Sequence, residues 1–287
     1  MSQKSFSKNR LLIVDGHNLL FQMFFGMPAR IVGKDGKAIQ GTLGFVGALL
    51  KIIRFTKPTH TVVIFDGERE NPKTELYSDY KANRTDYEAV PDEQNPFSQL
   101  LDVYNALDFL KIRHFETTDC ETDDIIPAYA LKYGKDNEII ISSFDSDFFQ
   151  LISQNVKVFR YRGDKSVVYD KSLFFEKFGI LPEQYADFKS LTGDSADNIK
   201  GAEKIGPKTA AGLLNSFIDL EGVILNADKI AKPSVKKSVK ESTERLRLNY
   251  KLIKLEGGAE LPFKMNELLY TDSKITTNEV LSGIGLK

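Results

Sequence analysis

Three short apolar runs end in aspartate, and this pattern restricts the fold more than any other feature of the chain. Leu11-Leu12-Ile13-Val14 leads into Asp15, and Thr61-Val62-Val63-Ile64-Phe65 leads into Asp66. Ile139-Ile140-Ile141 leads through Ser142-Ser143-Phe144 into Asp145 and Asp147. Continuous β-branched runs of this length mark strands buried on both faces, as in a parallel sheet. Open α/β sheets bind ligands in the crevice beyond the carboxyl ends of their strands. If the three strands are neighbours, several acids meet in one cleft. Carboxylates that close repel one another unless a cation neutralises them, so the pattern points to divalent metal ions.

Strand and helix patterns alternate over the first two-thirds of the chain. A helix is expected from about Thr42 to Phe55, ended by Pro58, and another from Pro96 to Leu110 ahead of a short strand at Ile112 to Phe115. Glu121 to Leu131 reads as a helix with acids in its first turn. Val156 to Tyr161 and Val167 to Tyr169 read as strands around an Arg162-Gly163-Asp164 turn. From Ser172 onward every pattern is helical. The expected organisation is an α/β layer over residues 1–180 and a helical region over 181–287. Residues 68–95 stand apart, polar and without periodicity, and contain Tyr80-Lys81-Ala82-Asn83-Arg84. Long irregular segments in compact domains are often functional lids.

Composition narrows the function classes. No apolar stretch approaches the roughly 20 residues of a membrane span, and the polar first ten residues lack the apolar core of a secretory signal. One cysteine, Cys120, excludes an internal disulfide and a cysteine-built zinc site, and suits the cytoplasm. His17, His60 and His114 are scattered, which argues against a histidine metal cluster. The formal net charge of −1 conceals an uneven distribution. With Asp15, Asp66, Glu121, Asp123, Asp124, Asp145, Asp147, Asp194 and Asp197 set apart, the remainder carries +8. Residues 200–254 hold twelve Lys/Arg against six Asp/Glu. A basic region beside an acidic pocket suits an enzyme that grips phosphates and attacks one with metals, although a lysine-rich stretch can also be a solvated helix face.

Four further signals follow, three of them acidic. Glu121-Thr122-Asp123-Asp124 is the densest, and on a helix Glu121 and Asp124 share a face; it could instead be only a match to the helix dipole. Asp145-Ser146-Asp147 places two carboxylates just past a buried strand. Gly193-Asp194-Ser195-Ala196-Asp197-Asn198 adds two more in a region read as helical. Together these supply enough oxygen ligands for two hard cations such as Mg2+ or Mn2+. The fourth signal is not acidic: Gly201 to Ala211 contains Lys204-Ile205-Gly206-Pro207-Lys208-Thr209. Gly206 offers a tight turn and Pro207 suits a first helical position, leaving Lys208 and Thr209 beside backbone N–H groups that can hold a phosphate. This is a helix–hairpin–helix pattern, a sequence-independent grip on a DNA backbone.

Taken in order, Val14-Asp15-Gly16-His17-Asn18-Leu19, Phe65-Asp66, Tyr80-Lys81-x-x-Arg84, Glu121-x-Asp123-Asp124, Asp145-x-Asp147, Leu191-Thr192-Gly193-Asp194-x-x-Asp197-Asn198 and Ile205-Gly206-x-Lys208-Thr209-Ala210 resemble the 5′ nuclease family. The likeness is to the 5′–3′ exonuclease domain of bacterial DNA polymerase I and to bacterial and phage flap endonucleases, over about residues 10 to 256. No polymerase domain follows, so the resemblance is to a free-standing member. It implies a mainly parallel, PIN-like or resolvase-like central sheet flanked by helices, a helical arch at 68–95 and a helix–hairpin–helix at about 190–220. It implies two divalent ions about 4 Å apart. Asp15, Asp66, Glu121 and Asp123 would serve one. Asp145, Asp147, Asp194 and Asp197 would serve the other, with Asp124 in support.

Lys81 and Arg84, on the arch beside Tyr80, would contact the scissile phosphate. Phe21 would stack on a base, and Lys204, Ile205, Gly206, Lys208 and Thr209 would hold duplex DNA around a K+ ion. The implied activity is a monomeric 5′–3′ exonuclease and flap endonuclease acting on 5′ flaps, 5′ ends and RNA primers on DNA, in replication and repair. Against it stand a PIN-like ribonuclease, which needs neither arch nor duplex grip, and a non-catalytic junction binder, which needs a damaged acid set. Three residues depart from the family pattern: Thr122 for a common Ala, Gln22 for a common basic residue, and Lys204 for a common hairpin glycine. At Lys204 the turn is strained if φ must be positive.

Overall fold

The structure is a computed structural model that describes residues 9–34, 36–67, 77, 87 and 90–287. The apolar runs do become strands. β1 (Arg10–Asp15), β2 (His60–Phe65), β3 (Arg113–Glu116), β4 (Glu138–Ser142), β5 (Val156–Arg160) and β6 (Val167–Tyr169) form one sheet in the order β3-β2-β1-β4-β5-β6. All neighbours are parallel except β5 and β6. β1 lies between β2 and β4, where the chain reverses its direction of travel across the sheet. That switch point is where a crevice opens beyond the strand ends.

Alternate residues of each strand serve opposite layers, which explains why the runs are apolar throughout but for Thr61. Leu11, Ile13, Val62, Ile64, Ile139 and Ile141 face one core. There they meet Ile125, Ile126 and Tyr129 of α4 (Thr122–Tyr133) and the helices that follow the sheet. Those are α5 (Lys171–Phe178), α6 (Tyr185–Thr192), α7 (Pro207–Phe217), α8 (Leu220–Leu225) and α9 (Pro233–Ile253). Leu12, Val14, Val63, Phe65 and Ile140 face the other core with α1 (Gly16–Gly26), α2 (Gln40–Thr56) and α3 (Leu100–Phe109). The chain then returns to the sheet. Leu268 accepts from Thr61 N at 2.9 Å, and Val280 of α10 (Thr277–Gly283) is buried in the second core. The last twenty residues are therefore packed on the α/β layer rather than on the helices that precede them.

Two local readings change. The acids Asp194 and Asp197 are not on a helix: residues 193–200 form a small ribbon, β7 (Gly193–Asp194) paired with β8 (Ile199–Lys200). Gly193 and Asn198 hold φ values of +82° and +58°, and Asp194 accepts from Ala196 N at 3.0 Å. Short polar side chains that bond their own backbone favour turns over helix. In the following connection Gly206 sits at φ −90°, a conformation open to any residue, and Pro207 occupies the first turn of α7. The left-handed position falls on Lys204, at φ +63°. The turn strain expected from its departure is present.

This gives a stability prediction. A side chain in the left-handed region costs about 1–2 kcal/mol, and glycine returns about 0.5–1 kcal/mol of that through the entropy of the unfolded chain. Lys204→Gly is expected to stabilise the protein by roughly 0.5–1 kcal/mol in urea unfolding. A destabilised variant would mean that the Lys204 side chain makes a compensating contact.

Candidate metal centre

The acids converge through backbone geometry. Asp15 is the last residue of β1 and the N-cap of α1, where Oδ1 accepts from Asn18 N at 3.1 Å. Its other oxygen accepts from Ser143 Oγ at 2.7 Å, just past β4. Ser143 Oγ in turn accepts from Asp145 N at 2.9 Å, and Asp145 Oδ1 accepts from Asp147 N at 2.8 Å. Asn18 Oδ1 accepts from Phe144 N at 2.9 Å, clamping the same loop onto α1. Gly16 is required here, because a Cβ on it would lie 2.5 Å from Phe65 Cδ1. One hydrogen-bonded path thus runs from Asp15 to Asp147.

Asp66 follows β2 directly and accepts from Thr122 N at 2.7 Å. It thereby meets the N-terminus of α4, whose dipole favours an anion. This brings Asp66 to the cluster Glu121, Asp123 and Asp124. Asp124 closes back on the backbone of Glu121, whose N–H donates to its Oδ2 at 2.9 Å. Asp124 is therefore engaged as a helix cap, the plain role open to it in the sequence. Asp66 N donates to His17 Nδ1 at 3.3 Å.

Asp147, Asp194 and Asp197 form the second group, each offering a carboxylate oxygen within 4.8 Å of the others. Asp147 comes from the loop after β4, and the other two from the β7–β8 ribbon. Asn249 of α9 fixes that ribbon against α6 by donating to the carbonyls of Ser190 and Lys200 at 3.1 and 2.9 Å. The buried Lys189 ammonium pairs with both Asp147 and Asp194 and reaches Ser146 Oγ at 3.5 Å.

The carboxylates bear on one another's ionisation. Burial, then the neighbouring Asp66, push Asp15 up to about 7, against the hydrogen bonds from Ser143 and Asn18. Burial pushes Asp147 up to about 6, with Lys189 working in the opposite direction. Burial also works against the Lys189 ammonium, but Asp147 and Asp194 outweigh it and hold it above the ordinary lysine value. Hard oxygen donors from five segments, crowded until Asp15 and Asp147 resist ionisation, are a donor set that fits divalent cations.

Several functional positions escaped the sequence. Ser143 and Asn18 bind the first carboxylates into register, yet a serine after a strand carries no signal of its own, and Asn18, part of the Val14–Leu19 block, gives no sign there of this clamp. Lys189 lies in a helical pattern whose burial is visible only in three dimensions. Of the residues the resemblance assigns to DNA, Phe21 sits in an aromatic cluster with Phe97 at 5.2 Å, Tyr87 at 5.2 Å, Phe25 at 6.1 Å and His17 at 6.3 Å between ring centres. His17 links that cluster to Asp66. Gln22 spends its amide on the Tyr161 carbonyl at 2.6 Å, an anchoring role in place of a basic contact. Lys204, Gly206 and Lys208 are exposed around the start of α7, Thr209 is half-buried and Ile205 is buried. Tyr80, Lys81 and Arg84, with most of the segment 68–89, lie outside the described residues.

Comparison with known proteins agrees with this architecture. The family described as 5′–3′ exonuclease, N-terminal resolvase-like domain matches residues 10–179, and 5′–3′ exonuclease, C-terminal SAM fold matches residues 180–276. A DNA polymerase I of Thermus thermophilus is 32% identical over 260 residues, which are 90% of this chain and 30% of that protein. The chain thus spans about 30% of the length of such curated polymerases. A 5′–3′ exonuclease of Aquifex aeolicus is 31% identical over 262 residues, 90% of this chain and 86% of that protein. A variant flap endonuclease of bacteriophage T5, solved as a pseudo-enzyme–product complex with DNA and metal ions, matches with a TM-score of 0.69 at 25% identity. That match covers 86% of this chain and 89% of the phage protein. With both halves of its sequence matched and a 31% identical relative covered over most of its length, the chain belongs to the 5′–3′ exonuclease family.

Proposed function

We propose that this protein is a divalent-metal-dependent, structure-specific 5′ nuclease, cutting phosphodiester bonds near the junction of a 5′ single strand and duplex DNA. The observation that carries this reading is the convergence at the switch point of the sheet: Asp15, Asp145 and Asp147 lie along one hydrogen-bonded path, Asp66 bears on Asp15 by its charge, and Asp194 and Asp197 stand beside Asp147. In it, Asp15, Asp66, Glu121 and Asp123 hold one Mg2+ or Mn2+ ion, and Asp145, Asp147, Asp194 and Asp197 hold another. Such a pair stabilises the attacking and leaving oxygens of an in-line displacement. Ser143 and Asn18 keep the carboxylates of Asp15 and Asp145 aimed without donating to substrate. Phe21 and its aromatic neighbours offer ring faces for an unstacked base. Lys81 and Arg84 stabilise charge growing on the phosphate.

The exposed Lys204 and Lys208 beside the N-terminus of α7 support a grip on downstream duplex, with a K+ ion on the turn carbonyls. Substrates on this reading are 5′ flaps, 5′ ends and RNA primers on DNA, met by a cytoplasmic monomer in replication and repair. The duplex-gripping turn favours DNA junctions over free RNA.

Cleavage of a 5′-flap substrate in Mg2+ is the direct test. The wild type should release the flap near the junction, and Asp145→Ala with Asp147→Ala should lower kcat/KM by about 10³-fold or more, the equivalent of several kcal/mol of transition-state stabilisation. Undiminished cutting by that variant, or a preference for all-RNA single strands, would refute the assignment. In duplex binding, Lys204→Gly should reduce the slope of log K against log salt by about one.

The raised Asp15 gives a pH prediction. Its pKa lies near 7 in the folded chain against 3.8 ordinarily, so between those values the folded chain keeps a proton the unfolded chain has released. The stability this provides is full below about pH 4 and is lost as pH rises through about 7. Metal-free unfolding should show that loss in the wild type and a smaller one in Asp15→Asn, where only the part due to the raised Asp147 remains. Because the proton and a divalent ion compete for the carboxylate, calorimetric Mn2+ affinity should rise with pH and level above about 7. Affinity independent of pH between 5 and 8 would contradict it.

A further inference from the structure

Lys189 is a buried charged group among these acids that the nuclease reading does not use. It projects from α6, a helix held in place by Asn249 bonding the Ser190 carbonyl and by Leu191 and Phe188 in the core. Its ammonium has three N–H donors. They face Asp147, Asp194 and the Ser146 hydroxyl, so each points at an oxygen in or beside the second acidic group. Two of the three carboxylates that can hold a cation there already hold one. The pairing is buried, where Coulomb interactions are least screened. Asp147 belongs to the sheet layer and Asp194 to the ribbon, so the same ammonium also ties these two parts together.

We propose that Lys189 is an internal competitor for the second divalent ion: it holds the carboxylates of Asp147 and Asp194 itself, and an ion entering there must share or take them. The inference rests on the two-ion reading above and adds to it a cause of unequal affinity. A small hard cation needs its oxygens at close range and in fixed directions. An ammonium among the same oxygens withholds lone pairs and repels the incoming charge. The first group contrasts with this, since the charges bearing on Asp15 are the like charges of Asp66 and Asp145. That side gains most from a cation, so the ions fill in order, the Asp15–Asp66 side first. Lys189 meanwhile keeps the second group assembled until the other ion arrives.

A purely structural lysine and a competing lysine predict opposite signs. Calorimetric titration of Mn2+ into the metal-free chain reads the difference without any turnover. The wild type should show a stronger and a weaker class of site. Lys189→Met should tighten the weaker class roughly tenfold or more, the equivalent of one charge-assisted hydrogen bond lost from the competition. It should leave the stronger class within about twofold, and the metal-free variant should melt earlier than the wild type. Lys189→Arg keeps the charge and should keep the weak class weak.

If the weaker class is unaltered or weakened in Lys189→Met, or if Lys189→Arg tightens it equally, the inference is overturned while the two-ion reading stands. A wild type that takes up only one ion overturns both. Should Lys189→Met not fold without metal, the Mn2+ midpoint of its refolding by circular dichroism replaces the isotherm. A midpoint above the wild-type dissociation constant of the weaker class would then overturn the inference.

Discussion

The repulsion among carboxylates at the ends of β1, β2 and β4 is the constraint around which the rest of the chain is arranged. Negative charge is placed where a parallel sheet excludes water, and the fold tolerates it through several fixed donors. Asp15 takes hydrogen bonds from Ser143 and Asn18, Asp66 takes one from the N-terminus of α4, and Asp147 and Asp194 take an ammonium from Lys189. Each donor reduces the cost of ionising an acid without removing it. The incomplete compensation shows in Asp15, which burial and Asp66 still push to about 7. A site left short of positive charge is a site prepared to bind it.

The two layers of the molecule contribute differently to that site. The sheet gives register: Asp15 pairs with Ile64, and Val14 with Ser142, which sets the ends of three strands level and delivers their loops to one edge. The helices beyond residue 180 give the second group, because the β7–β8 ribbon carrying Asp194 and Asp197 is clamped between α6 and α9 by Asn249. The turn that follows presents Lys204 and Lys208 to solvent. A single stretch of chain therefore links the acids proposed to bind metal to the surface proposed to hold a duplex backbone. That continuity supports the proposal that the distance from duplex grip to cut is fixed by the fold.

Much of this was legible in the residues. The uninterrupted apolar runs ending in acids identified buried parallel strands and a shared cleft, and each acid in question falls at a strand end, a helix start or the ribbon. The positive φ at Lys204 followed from a departure at one hairpin position. What escaped were features that depend on contacts between distant segments. The ribbon at 193–200 was read as helix because its turn is made by side-chain bonds to local backbone, which periodicity does not register. Ser143, Asn18 and Lys189 are ordinary polar residues whose roles exist only once β4, α1 and α6 are brought side by side. Asp124 shows the converse, an acid whose geometry is that of a helix cap.

The central claim is that these acids are held together to bind two divalent ions. Anomalous diffraction from crystals grown in Mn2+ tests it most directly. The account predicts two peaks about 4 Å apart, one beside Asp15 and Asp66 and the other among Asp147, Asp194 and Asp197. A map with no peak among these carboxylates, or with manganese only at surface sites elsewhere, would contradict it.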